Sequence, residues 1–69
     1  MPKYTIMPYG CKWYSVELPV KELRLAFSME AHNFSTLTPI AVRNEETKEI
    51  KIFTRELDEN GNLLQVKEY

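Results

Sequence analysis

Residues 49–67 constrain the chain more than any other stretch. They read Glu-Ile-Lys-Ile-Phe-Thr-Arg-Glu-Leu, then Asp-Glu-Asn-Gly-Asn, then Leu-Leu-Gln-Val-Lys. Two β-rich runs flank Asn60-Gly61, and Asn-Gly between such runs is a strong hairpin signal because both residues tolerate positive φ. A three-residue loop of Glu59, Asn60 and Gly61 sets Leu57 opposite Leu63 and Glu56 opposite Leu64. Ile50, Ile52, Leu64 and Val66 then share one face. A two-residue loop would slip the pairing by one and part Ile52 from Val66. The first register is preferred because it keeps the β-branched residues together.

The run before this hairpin extends the same sheet. Residues 37–43 (Leu-Thr-Pro-Ile-Ala-Val-Arg) read as a strand, with Pro39 placing its start late or at an edge because proline has no amide donor. Residues 34–36 are a connection, and 44–48 a polar turn. If Arg43 faces Glu49, Val42 meets Ile50 and Ile40 meets Ile52. The opposite, amphiphilic face then holds Ala41, Lys51, Phe53, Arg55, Leu57, Leu63 and Gln65.

At the other end, residues 3–7 and 12–18 are rich in aromatic and β-branched residues and read as strands. Pro8-Tyr9-Gly10 is the turn between them, with Gly10 free to take a left-handed conformation. A three-residue loop pairs Met7 with Cys11, Ile6 with Lys12 and Tyr4 with Tyr14. Tyr4, Ile6, Tyr14, Val16 and Leu18 then form a core face. Lys3, Thr5, Met7, Trp13, Ser15 and Glu17 form a mixed one.

Residues 19–33 fit two patterns. Val20, Leu23, Phe27 and Ala31 fall on one helical face, among good helix formers, with Pro19 suited to a first turn and Asn33 to an end. Leu23, Leu25, Phe27, Met29 and Ala31 also alternate as in a strand, and Leu18 would make a poor N-cap. The helix is preferred. The expected fold is therefore a single α+β domain over residues 1–69: an N-terminal β-hairpin, one helix packed on the Ile/Val/Leu face, and a three-stranded antiparallel meander. A small all-β barrel is the alternative if 19–33 is a strand.

Composition narrows the function classes. The net charge is −1, which favours neither nucleic acid nor a membrane surface as partner. Cys11 is the lone cysteine, so no internal disulfide forms and a reducing, cytoplasmic setting is expected. The N-terminal residues lack the apolar core of a signal peptide, and no run approaches a membrane span. His32 is the sole histidine. One His and one Cys fall short of a structural zinc site, and neither has the partners of a nucleophilic centre. Gly10 and Gly61 stand alone, so no phosphate loop exists. The chain is expected to be neither an enzyme nor a cofactor binder.

Aromatics carry the remaining signal. Met7, Tyr9 and Trp13 gather near the first turn, and such residues are enriched where proteins bind proteins. With Lys12 and Glu17 as rim charges they suggest a small protein-binding module, a regulator or inhibitor acting sterically on a larger partner. Mobile elements and phages often encode such short chains, which is a prior about size alone. Two alternatives use other features. A nucleic-acid-associated regulator would use Lys3, Lys12, Lys21 and Arg24 around the same aromatics. A structural subunit would self-assemble, as a homodimer covering one amphiphilic face.

Overall fold

The structure, a computed structural model, describes residues 1–33 and 38–69. In chain order come β1 (Lys3–Pro8), β2 (Tyr14–Glu17), α1 (Leu23–Glu30) with a 3-10 turn Ala31–Asn33, β3 (Ile40–Asn44), β4 (Ile50–Leu57) and β5 (Leu63–Glu68). All five strands join in one antiparallel sheet of order β2-β1-β3-β4-β5. The hairpin and the meander thus meet along β1 and β3. The sheet is open, with β2 and β5 at its edges, so the barrel alternative does not hold. The expected connection 34–36 and the expected strand start at Leu37 lie outside the described residues.

Residues 23–30 are helical, which settles the double pattern of 19–33. One layer of the sheet already holds the long-range pairing, and the segment's Leu23, Ala26, Phe27 and Ala31 all bury against it while Leu25 and Met29 stay exposed. That is helical spacing, not alternation. The helix begins later than Pro19: Glu22, in extended conformation, is the N-cap and gives no side-chain cap. Phe27 stacks on Phe53 of β4 with ring centroids 5.3 Å apart, which ties the helix to that strand.

In the first hairpin the expected faces hold although the pairing differs. Ile6 faces Tyr14 and Tyr4 faces Val16, two residues away from the expected register. Pro8 stays in β1, opposite Ile40. The turn follows it, with Cys11 N–H donating to the Pro8 carbonyl and Gly10 at φ +76°. A slip of two preserves which side each residue occupies, because strand side chains repeat every second residue. Tyr4 and Ile6 are accordingly core, and Tyr14 and Val16 are half-buried at its margin.

β4 is turned over relative to expectation. Ile40 pairs with Phe53 and Arg43 with Ile50, one residue from the expected register. The cause is the loop. Asn44 belongs to the strand, its N–H donating to the Glu49 carbonyl at 2.9 Å. Its side-chain oxygen accepts from the amides of Glu46 and Thr47. Lys48, at φ +64°, closes a four-residue loop.

On the other side of β4 the three-residue loop is as expected. Asp58 pairs with Asn62, and Gly61 sits at φ +84°. Leu57 faces Leu63, but an irregularity then sets Glu56 opposite Gln65, leaving Leu64 as the extra residue of a bulge. Val66 therefore faces Arg55 rather than Thr54.

Both neighbours of β4 agree on the outcome. Phe53 is 1% exposed and Arg55 is buried, whereas Ile50 and Ile52 lie on the uncovered face. Ile40, Val42, Phe53 and Val66 form the core with β1 and the helix. The expected grouping of Ile52 with Ile40 and Val66 fails, and Leu64 is exposed. Turning β4 buries the larger aromatic and lets the Arg55 guanidinium bond the Ala31 carbonyl at the helix end, where a cation is favoured.

Candidate interaction face

Among the described residues, one side of the sheet carries the helix and the other carries none. On the uncovered side a row of apolar residues crosses the strands. Met7 lies opposite Ala41 and Ala41 opposite Ile52. The amide of Tyr69 donates to the Ile52 carbonyl at 2.7 Å, which brings Tyr69 alongside. Trp13 completes the row at the other end, where Met7, Tyr9, Trp13, Pro39, Ala41 and Ile52 line a shallow hollow of about 370 Å³. Trp13 is 61% exposed and Ile52 39%. Strand alternation and the turned β4 explain this placement: the same flip that buries Phe53 delivers Ile52 to the hollow.

Polar networks border the row. Glu45 accepts hydrogen bonds from Thr5 and Arg43, each at 2.6 Å, and pairs with Lys48 at 3.2 Å. Ser15 shares a hydrogen bond with Thr5 at 3.2 Å. The bonds from Thr5 and Arg43 hold the Glu45 carboxyl down to about 2. On the far side Glu56 pairs with Lys67 and accepts from Gln65, which lowers its carboxyl too. Glu45, Arg43, Lys48, Glu56 and Lys67 are thus partnered within the chain, and the apolar row runs between them.

Of the residues expected at the site, Met7, Tyr9 and Trp13 come together in the hollow. Lys12 and Glu17 do not line it: Lys12 is exposed in the loop, and Glu17 lies opposite Lys3 at the other end of β2. Pro39, Ala41, Ile52 and Tyr69 were not expected there. The β3–β4 register is the sequence signal for Ile52, and the four-residue loop 45–48 sets it one residue from the expected pairing. Tyr69 follows from extending β5 beyond Glu68.

Other candidates scatter. Cys11 lines the hollow, whereas His32 lines a separate one beside Ser28, Arg55 and Leu57. Lys21 and Arg24 sit at the start of the helix with Glu22, Glu49 and Glu68, whereas Lys12 lies in the first loop. Among the described residues no group of three His, Cys, Asp or Glu is placed to hold a metal, and no helix is long and apolar enough to cross a membrane. Under the helix, Tyr14 donates to Glu30 at 3.1 Å and Asn33 to the same oxygen at 2.6 Å. Burial and the Glu30 carboxylate push the Tyr14 hydroxyl up to about 12.

No protein-family model, curated protein or solved structure matches this chain.

Proposed function

We propose that this chain is a non-enzymatic protein-binding module, a small regulator or inhibitor that acts sterically on a larger protein through its uncovered sheet face. The observation that carries this reading is the apolar row from Trp13 through Met7, Ala41 and Ile52 to Tyr69, set between self-satisfied polar flanks. Contiguous exposed apolar surface rimmed by polar groups is characteristic of protein interfaces. Trp13 and Tyr9 act as anchors, and Lys12 and Glu17 stand further out as rim charges. A reducing, cytoplasmic setting goes with this reading, because Cys11 is an exposed, unpaired thiol beside the anchors.

A nucleic-acid role draws less support. Lys21 and Arg24 share their hollow with Glu22, Glu49 and Glu68, and Arg24 is engaged with the Val66 carbonyl. The test is parallel affinity capture from host lysate with the wild-type chain and with Trp13→Ala and Ile52→Asp. Proteins retained by the wild type and lost from both folded variants are the expected result. Identical retained sets, or a Trp13→Ala chain that no longer unfolds cooperatively, would overturn the reading.

A further inference from the structure

We propose that two copies of this chain pair through their β2 edges, antiparallel about Ser15, into one continuous sheet. The direction of the main chain supports this. Leu18 N–H donates to the Pro2 carbonyl at 3.1 Å, and the β1–β2 register continues from that pair. In an antiparallel ladder bonded and non-bonded pairs alternate, so Val16 and Tyr14 bond to β1. Ser15 and Glu17 then turn their N–H and C=O groups outward.

The opposite edge differs. Tyr69 bonds Ile52, so the same alternation turns the Val66 and Glu68 groups outward from β5, and Arg24 of the helix reaches over to occupy one of those acceptors, the Val66 carbonyl. Among the described residues no comparable bond reaches the main chain of Ser15 or Glu17. Natural sheets usually block such edges or use them.

The β2 sequence is self-complementary in one register. About a two-fold axis at Ser15, Tyr14 lies opposite the other copy's Val16, twice. These are aromatic–β-branched pairs, a favourable cross-strand combination, made by two residues that are half-buried at the core margin. Trp13 lies opposite the other copy's Glu17. Centring the axis on Val16 would set the Trp13 main chain against Pro19, which has no N–H. Centring it on Glu17 would set like charges face to face, and centring it on Tyr14 would set Ser15, Val16 and Glu17 against Trp13, Lys12 and Cys11, which lie outside β2. A second copy therefore fits this edge in a defined way, and the pairing stands apart from the reading of the uncovered face. It would carry two Trp13 hollows on one sheet.

The test is sedimentation of the intact chain from micromolar to millimolar concentration. A dimer is expected, and Ser15→Pro should raise its dissociation constant by about tenfold or more. Proline there removes an outward N–H that makes no bond within the sheet, and circular dichroism reports whether that variant is folded. A second measurement does not need proline. In a Cys11→Ser background, Ser15→Cys should cross-link on mild oxidation, because paired Cα atoms lie within disulfide reach. Glu17→Cys should not, since those residues would stand about 13 Å apart along the strands. A wild-type chain that stays monomeric throughout, a dimer that survives folded Ser15→Pro unchanged, or equal cross-linking at 15 and 17 would each overturn the proposal.

Discussion

Phe53 and Ile52 are neighbours with opposite roles. Phe53 is 1% exposed and stacks on Phe27, while Ile52 lies in the hollow on the uncovered face. Phe53→Ala should destabilise the chain by about 3–5 kcal/mol, from lost transfer energy and the cavity left behind. Ile52→Ala should cost about 1 kcal/mol or less, because half-open surface positions have little to lose. Urea unfolding of both variants checks the pair, and a reversed order would return β4 to the other face. Sequence pattern misleads here for a definable reason. Residues 50–53 are apolar at 50, 52 and 53, so both faces of the strand look partly hydrophobic, and only the neighbours' register decides between them. At α1 the same kind of ambiguity falls to the helix, because Leu23–Glu30 holds no β-branched residue and the neighbouring sheet needs a cover.

At the scale of elements, loops set the registers and registers set the faces. The Asn60-Gly61 loop was legible because a glycine at positive φ marks its position. The 45–48 loop was not, since its left-handed residue is Lys48 rather than glycine and its organiser, Asn44, looks like part of a polar run. A non-glycine residue in that conformation costs about 1–2 kcal/mol. Glycine removes that strain but costs about 0.5–1 kcal/mol in chain entropy. The exposed Lys48–Glu45 pair adds little to this balance. Lys48→Gly should therefore stabilise the chain by about 0.5–1 kcal/mol, read as a raised urea midpoint at unchanged m-value. Destabilisation would mean that the loop does not hold Lys48 left-handed. The Leu64 bulge carries no glycine to mark it: the Leu63-Leu64 pair breaks the alternation without saying which leucine is the extra one, and that is decided only where β4 and β5 must agree with β3 and the helix together.

For the whole molecule, stability should fall at both ends of the pH scale through identified groups. Glu45 is held at about 2, below its ordinary 4.5. A lowered carboxyl contributes stability that is fully present above the ordinary value and is lost as pH falls from 4.5 through 2. Glu56 acts in the same direction. Tyr14 is raised to about 12 from 10.0. A raised hydroxyl contributes stability that is fully present below 10 and is lost as pH rises through 12. Thermal unfolding across pH should show both limbs, with Tyr14→Phe flattening the alkaline one and Thr5→Val weakening the acid one. An alkaline limb unchanged in Tyr14→Phe would remove Tyr14 from the account.

The reach of Arg24 over the last strand has a consequence for growth. A ribbon that can add neighbours on both margins extends without limit and becomes a fibre. Here one acceptor on the β5 margin is already taken by the chain's own helix, which makes that margin the poorer template for strand addition. On the proposed pairing each copy spends its β2 edge on the other, so association by that route would close at a pair rather than run on.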